Sequence, residues 1–360
     1  MRLLHTADLH LGKRLLALPL DADQRHILRQ IVSAVRSLHV SAVLLSGDIF
    51  DRLSPPAAAV SLLDDFLVDL HAAGAQVFAV AGNHDSPERL DYAARLLSHD
   101  GIHIAGVVHG VAPTVTLHDG HGEVVFYLLP YVRPGNVRDA WPGVSSLTEG
   151  IRQALAGLDP SARNVLVTHQ LALPAAAAAA SPEPDAVDAA LFSAFDYAAL
   201  GHLHGAGRVA LPEVRYAGAP LAYTTDEAGR VKSFTLIDLE EKGNVRVEEV
   251  PLEPLHPMRR AEGYLDEILQ AEPFSEDYVH VRLLDDGPVL DAMKRLRGRF
   301  PNLVRLEWLA HAAPERTKRL ERARREPLEL YGEFFRLMNG RELSEDEERL
   351  LREAADEAAL

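Results

Sequence analysis

The sequence predicts an α/β fold, and two observations carry that expectation. Short apolar runs alternate with helix-length amphipathic segments through the first two thirds of the 360 residues, the pattern of helices packed over a sheet. The runs are RLLHTAD, AVLLSGD, VFAVAGN, NVLVTH and YAALGH, and each ends in a residue able to bind a metal: Asp8, Asp48, Asn83, His169 and His202. In open α/β sheets, sites form where loops leave the carboxyl ends of strands, so the five endings are expected to converge on one crevice.

The remaining elements follow in order. Residues 174–190, PAAAAAASPEPDAVDAA, are Ala- and Pro-rich low-complexity sequence and read as a surface loop. The runs RVALPEVRYAGAP, VKSFTLIDLE and NVRVEEVPLEP read as hairpin strands with EKGN as a turn, closing a first domain over residues 1–255. Beyond the Pro-punctuated segment 251–257, YVHVRLLD, a helix across GPVLDAMKRLRGRF, and LVRLEWLA form a β-α-β unit, a small second domain over 256–314. Residues 315–360 complete the chain. There Leu328, Tyr331, Phe335 and Met338 repeat at helical spacing, and Leu330, Phe334 and Leu337 widen an unusually aromatic face. Asn339-Gly340 stops that helix, and Ser344 with Glu347 forms a capping box for a second, giving a helical hairpin.

Composition narrows the function classes. With 47% hydrophobic and 25% charged residues the chain has ordinary globular composition. No apolar run reaches the ~20 residues a membrane span needs, and the N-terminal leucines are interrupted by His5, Asp8, His10 and Lys13, so neither a signal peptide nor an anchor is expected. The absence of cysteine excludes disulfides and thiolate metal sites and fits a cytoplasmic protein; oxygen and imidazole are the only metal ligands available.

Four fragments carry the chemistry: Asp8-Leu9-His10, Gly47-Asp48, Gly82-Asn83-His84-Asp85 and Gly201-His202-Leu203-His204, with His169 between the last two. In both DLH and HLH the candidates are two apart, on one side of an extended chain, with leucine facing away. Glycine before a ligand lets the backbone turn sharply and approach a site. Carboxylates mixed with imidazoles and an asparagine suit Mn²⁺, Fe²⁺ or Mg²⁺. Seven groups exceed the needs of one ion, whereas two ions ~3.5–4 Å apart sharing a carboxylate are the arrangement of phosphate-ester chemistry.

DLH, GDIFD, GNHD, the lone His169 and GHLH resemble the five signature blocks of the calcineurin-like metallophosphoesterases. With the flanks HTADLHLGK, GDIFDRLSPP, GNHDSPERL, GHLHGAGRV and YAGAPLAYTTDEAG, and the C-terminal REPLELYGEFFRLMNGRELSEDE, the likeness extends to the bacterial DNA-repair nuclease subunits that act with an SbcC-type ATPase. The resemblance implies a β-sandwich flanked by helices, a small α+β capping domain that binds DNA, and a C-terminal helical hairpin that docks the ATPase. It implies one ion among Asp8, His10, Asp48 and His204, and another among Asp48, Asn83, His169 and His202, with Asp48 bridging and Mn²⁺ as the expected metal. His84 would contact the scissile phosphate and protonate the leaving oxygen, and Asp85 would orient His84. Where some relatives carry histidine, Asp51 stands here.

The implied activity is cleavage of DNA, as an exonuclease on duplex ends and an endonuclease on single strands or hairpins, in double-strand break repair at the nucleoid and as a homodimer. A formal charge of -16 opposes nucleic-acid binding, because affinity rests on basic side chains. However, residues 341–360 alone carry a net -5, whereas 311–325 carry +4, a basic stripe able to meet phosphates. No GxxxxGK[ST] loop occurs, so ATP is left to a partner, and Leu328, Tyr331, Phe334, Phe335 and Met338 are the expected docking face. Two rival readings are a small-molecule phosphodiesterase or phosphatase of the same superfamily, and a scaffold with a decayed site. The second domain and helical hairpin disfavour the former; the complete set of ligand types disfavours the latter.

Overall fold

The computed structural model describes residues 1–309, 335–336, 341, 343–344 and 346–350. Two units divide it, Met1–Arg259 with Glu276–Tyr278, and Arg260–Ser275 with the residues from Val279 onward.

In the first unit the five strands whose ends carry the candidate ligands belong to two sheets. One has the order Val245–Leu252, Lys232–Leu239, Arg2–Thr6, Ala42–Ser46, Gln76–Val80, Ile102–Ala105. The other runs Gly207–Val209, Leu211–Tyr216, Tyr197–Leu200, Arg163–Thr168, Gly122–Leu129, Thr114–Asp119. The strands that carry site residues are mutually parallel within each sheet, and antiparallel hairpins close the flanks. Parallel strands covered on both faces read as continuous apolar runs, which is why AVLLS is buried at every position.

The inner faces pack together through Leu3, Leu44, Phe78 and Val80 from one sheet and Phe126, Val165 and Ala199 from the other. Phe78 and Phe126 stack with centroids 4.2 Å apart. Outside the first sheet, the Asp21–Ser37 helix buries Ile27, Leu28, Ile31, Val32 and Val35, a stripe spaced for one helical face. Asp21 and Asp23 in its first turn and Arg36 in its last suit the helix dipole. Beside it, Ala57–Ala72 buries Leu62, Leu63, Phe66 and Leu70. Outside the second sheet, Val137, Trp141, Ile151 and Phe192 cover Leu166 and Leu200. The architecture is a sandwich flanked by helices.

The EKGN turn forms as read, with the Glu240 amide donating to the Asn244 carbonyl (3.0 Å) and Gly243 in the left-handed region (φ 80°). The Ala-rich segment departs from a plain loop. Its six alanines form an exposed helix, Ala175–Ala180, after Pro174, because alanine has the best helix propensity and proline begins helices well. Val187–Asp188 then pairs in parallel with Ala172–Leu173.

In the second unit, Tyr278–Leu283, the helix Ala292–Arg299 and Leu303–Trp308 form the expected β-α-β pair. A strand at Met258–Gly263 and a helix at Leu265–Ala271 join them, and Val279, Val281, Leu283, Leu296 and Phe300 make the core. The Ser344–Glu347 capping box is present: the Glu347 amide donates to Ser344 Oγ (3.4 Å), and the Ser344 amide to the Glu347 carboxylate (2.9 Å). Leu328, Tyr331, Phe334, Met338 and the basic stripe 311–325 lie outside the described residues. Of the aromatic face, Phe335 is described, with the Arg341 guanidinium 4.8 Å over its ring.

Candidate metal centre

All seven candidate ligands and His84 come together. Each parallel strand stops one to three residues before its first ligand, and the chain then turns abruptly. Asp8, His10, Asp48 and His202 have φ of 53°, 44°, 49° and 101°, a region that costs a non-glycine residue about 1–3 kcal/mol and is held only where the surroundings over-determine it. Here they do. The Asp8 amide donates to Gly47 O (3.0 Å), the His10 amide to Asp48 O (2.9 Å) and the His202 amide to Asp8 Oδ1 (2.9 Å). Gln24 Nε2 donates to His10 O at 2.7 Å and the Tyr223 hydroxyl to Leu9 O. The expected extended DLH pair is thus corrected: the strand ends at Thr6, and left-handed turns aim Asp8 and His10 while Leu9 is buried.

Two glycines are required by close approach. A methyl group on Gly82 would overlap the Asp48 carboxylate, and one on Gly201 would overlap the Ser46 carbonyl and the His169 ring.

The ligand atoms fall into two groups that meet at Asp48. His10 Nε2 lies 3.1 Å from His204 Nε2 and 3.6 Å from Asp48 Oδ2. Ligand atoms of Asp8, His10 and His204 lie within 4.8 Å of one another. On the other side, Asn83 Oδ1 lies 3.0 Å from His169 Nε2 and 3.1 Å from His202 Nδ1, and His169 Nε2 is 3.4 Å from Asp48 Oδ1. One oxygen of Asp48 therefore faces each group. The two histidines of GHLH do not chelate together: His202 joins Asn83 and His204 joins His10.

The donors fit divalent cations. Asp8 Oδ2 is buried and has no hydrogen-bond partner among the described residues, and an unpaired buried acceptor costs about 1–3 kcal/mol unless something answers it. Burial pushes the Asp8 carboxyl up to about 6. Burial would also raise Asp48, but the adjacent His169 and His10 hold it below the usual carboxylate range. His10 is pushed down to about 3 by burial. In His169 burial is outweighed by Asp48, which lifts the imidazole to about 9, so the centre already draws positive charge to itself. His169 Nδ1 donates to Ser46 O (2.7 Å), which turns Nε2 inward for a cation.

His84 sits at the lip, its side chain 43% exposed and its Nε2 3.9 Å from Asp48 Oδ2. The expected role of Asp85 is corrected. Its carboxylate is fully buried and accepts the amides of Ile49 (3.0 Å), Phe50 (2.8 Å) and Gly82 (2.9 Å), tying two ligand loops together. The partner of His84 Nδ1 is the carbonyl of Asp51 at 3.1 Å. A side chain next in sequence to His84 cannot reach its ring while its oxygens answer three main-chain donors.

Several residues escaped sequence reasoning. The Tyr131 ring stacks on His202 (centroids 6.3 Å, 9° between planes) and its hydroxyl donates to Asp185 (2.6 Å). Arg133 donates to Asn83 O at 3.2 Å. Glu227 accepts from His204 Nδ1 (3.2 Å). Tyr131 had a usable signal, since it ends the apolar run VVFYLLPY as the other site residues end theirs. Glu227 had none.

The family model described as calcineurin-like phosphoesterase matches residues 1–206, and one described as type 5 capsule protein repressor C-terminal domain matches 254–339. The SbcD component of the nuclease SbcCD from Staphylococcus epidermidis is 26% identical over 361 residues, covering 96% of this chain and 95% of that one. Among solved structures, a dimetal phosphatase from Danio rerio is 17% identical with a TM-score of 0.41, covering 71% of this chain and 99% of its own. TT1561 of Thermus thermophilus is 14% identical with a TM-score of 0.42, covering 69% and 98%.

Proposed function

The chain belongs to the calcineurin-like phosphoesterase family, whose members are metal-dependent hydrolases, and we propose that it is a two-metal DNA nuclease acting in break repair with an SbcC-type ATPase. The observation that carries the reading is the end-to-end likeness to a nuclease component, which continues well past the phosphoesterase region. The working form is a homodimer on nucleoid DNA in the cytoplasm, bound to the ATPase through the aromatic face around Phe335. Among the described residues no helix is long and apolar enough to cross a membrane.

Asp8, His10, Asp48 and His204 would hold one ion, and Asp48, Asn83, His169 and His202 the other, with Mn²⁺ the preferred metal and Mg²⁺ or Fe²⁺ alternatives. When bound, two such ions supply Lewis acidity that activates water and neutralises charge building on the phosphoryl oxygens. The chain's own residues do the rest. Asp48 presents an oxygen to each group, which supports a bridging role. His84, with Nδ1 fixed on the Asp51 carbonyl, offers Nε2 to the leaving oxygen and hands it a proton. Exposure at the lip lets it reach a phosphodiester while the Asp48 carboxylate beneath it stays buried. Asp85 acts through the backbone, holding the Asp48 and Asn83 loops in register.

The test is cleavage of an end-labelled duplex and of bis-p-nitrophenyl phosphate with Mn²⁺, with Mg²⁺ and with chelator, beside Asp48→Ala and with the partner ATPase and ATP added. DNA cleavage that needs both metal and Asp48 is the expected result. Hydrolysis of the small diester with DNA untouched would replace the nuclease by a small-substrate phosphodiesterase.

A further inference from the structure

Beside the centre lies a buried ion pair that the reaction does not use. Glu227, at the end of the 3₁₀ turn Thr225–Glu227, is 5% exposed, and Lys232, at the start of the Lys232–Leu239 strand, is 9% exposed. Glu227 Oε2 accepts from Lys232 Nζ. Oε1 accepts from His204 Nδ1 (3.2 Å), Thr224 Oγ1 (3.0 Å) and the Tyr223 amide (3.3 Å). Lys232 Nζ also donates to the main-chain carbonyl of His204 at 3.1 Å. His204 is therefore held twice by the same pair, by its ring through Glu227 and by its backbone through Lys232.

Stability alone is a poor reason for such a pair, because desolvating two charges offsets much of their attraction and apolar replacements are often neutral. Its geometry fits orientation better. A hydrogen bond from Nδ1–H to a carboxylate leaves the lone pair on Nε2, and that nitrogen faces His10 Nε2 at 3.1 Å, inside the ligand group. His169 gets the same service from the Ser46 carbonyl, which no substitution removes. His204 depends on a side chain, which can be removed.

We propose that Glu227, charge-balanced by Lys232, is a positioning residue that fixes the tautomer and ring direction of His204, and so sets the affinity of the ion held by Asp8, His10 and His204. This rests on the two-metal reading.

The experiment is Mn²⁺ titration by calorimetry of the full chain and two double variants, with the melting of each metal-free protein measured alongside. Glu227→Gln with Lys232→Met removes both charges but leaves an amide oxygen to accept from His204. Glu227→Leu with Lys232→Met removes the same charges and the acceptor. The expected result is that the Leu variant loses about 10–100-fold in affinity at one of two Mn²⁺ steps, while the Gln variant stays within about 3-fold of the parent. Parental affinity at both steps in the Leu variant would overturn the proposal, as would an equal loss in the two variants. Should the parent itself bind fewer than two Mn²⁺, the two-metal reading fails instead, and that outcome is visible before any variant is compared.

Discussion

Two carboxylates at opposite ends of the same sandwich, Asp119 half-buried and Asp8 fully buried, have opposite environments. At the end away from the metal centre, Asp119 accepts two hydrogen bonds from Arg163 (2.7 and 2.9 Å), one from the His121 amide (2.8 Å), and pairs with the N-terminal amine (2.8 Å). Arg163 beside it holds its carboxyl well below the usual range. At the site end, Asp8 has an oxygen with no partner, a strained backbone and a carboxyl raised by burial. At the far end both oxygens of Asp119 are answered within the chain. At the site end the unanswered Asp8 oxygen fits a place arranged for something else, at some expense of stability.

That contrast can be tested from both ends. Asp48→Ala, the largest effect, should lower phosphodiester hydrolysis at least ~10³-fold, the loss of about 4 kcal/mol of charge stabilisation, and should bring Mn²⁺ stoichiometry below two in a calorimetric titration. His84→Gln should cost about 10²–10³-fold in kcat with both Mn²⁺ steps intact, since it acts on the substrate and not on the metals. Weakened metal binding there would make His84 a ligand.

At the other end, Arg163→Met should destabilise by about 2–3 kcal/mol in urea, somewhat below the range for a fully buried pair because Asp119 keeps some solvent, and should leave Mn²⁺ binding unchanged. The folded Asp119 carboxyl lies below its unfolded value, so its contribution is present above about pH 4 and fades as the pH falls below that. The stabilities of parent and variant should therefore converge on the acid side; a constant gap down to pH 2 would detach the effect from this carboxylate. The smallest effect has the opposite sign. Asp8→Asn, which keeps a residue tolerant of left-handed φ, should raise the stability of the metal-free protein by about 1 kcal/mol while weakening Mn²⁺ binding. A loss of stability in chelator would mean that Asp8 is structurally satisfied after all, and the contrast between the two ends would collapse.

Much of this was legible locally. An apolar run that ends in Asp, Asn or His is a property of six or seven consecutive residues, so Asp8, Asp48, Asn83, His169 and His202 stand out once the five runs are taken together. The EKGN turn, the Ser344–Glu347 cap and the β-α-β unit are likewise written in short spacings. The misread parts are those in which a residue's partner is distant. Asp85 next to His84 suggested a pair, yet two of the three amides that take the oxygens of Asp85 lie some 35 residues away in sequence. Glu227 is one acidic residue among many until its 23-residue separation from His204 closes in space.

The sequence by itself determined which side chains could bind metal, that they stand at strand ends, and the family to which the chain belongs, because composition, periodicity and motif order are properties of the chain read in one dimension. Only the tertiary structure decided that the five strand ends divide between two sheets, that Asp48 turns one oxygen to each ligand group, and that Asp8, His10, Asp48 and His202 adopt left-handed backbone. The physical reason is common to all three. Strand pairing, the direction of a carboxylate and a strained φ are fixed by hydrogen bonds and contacts between segments far apart in the chain, and no local pattern encodes which segments those will be.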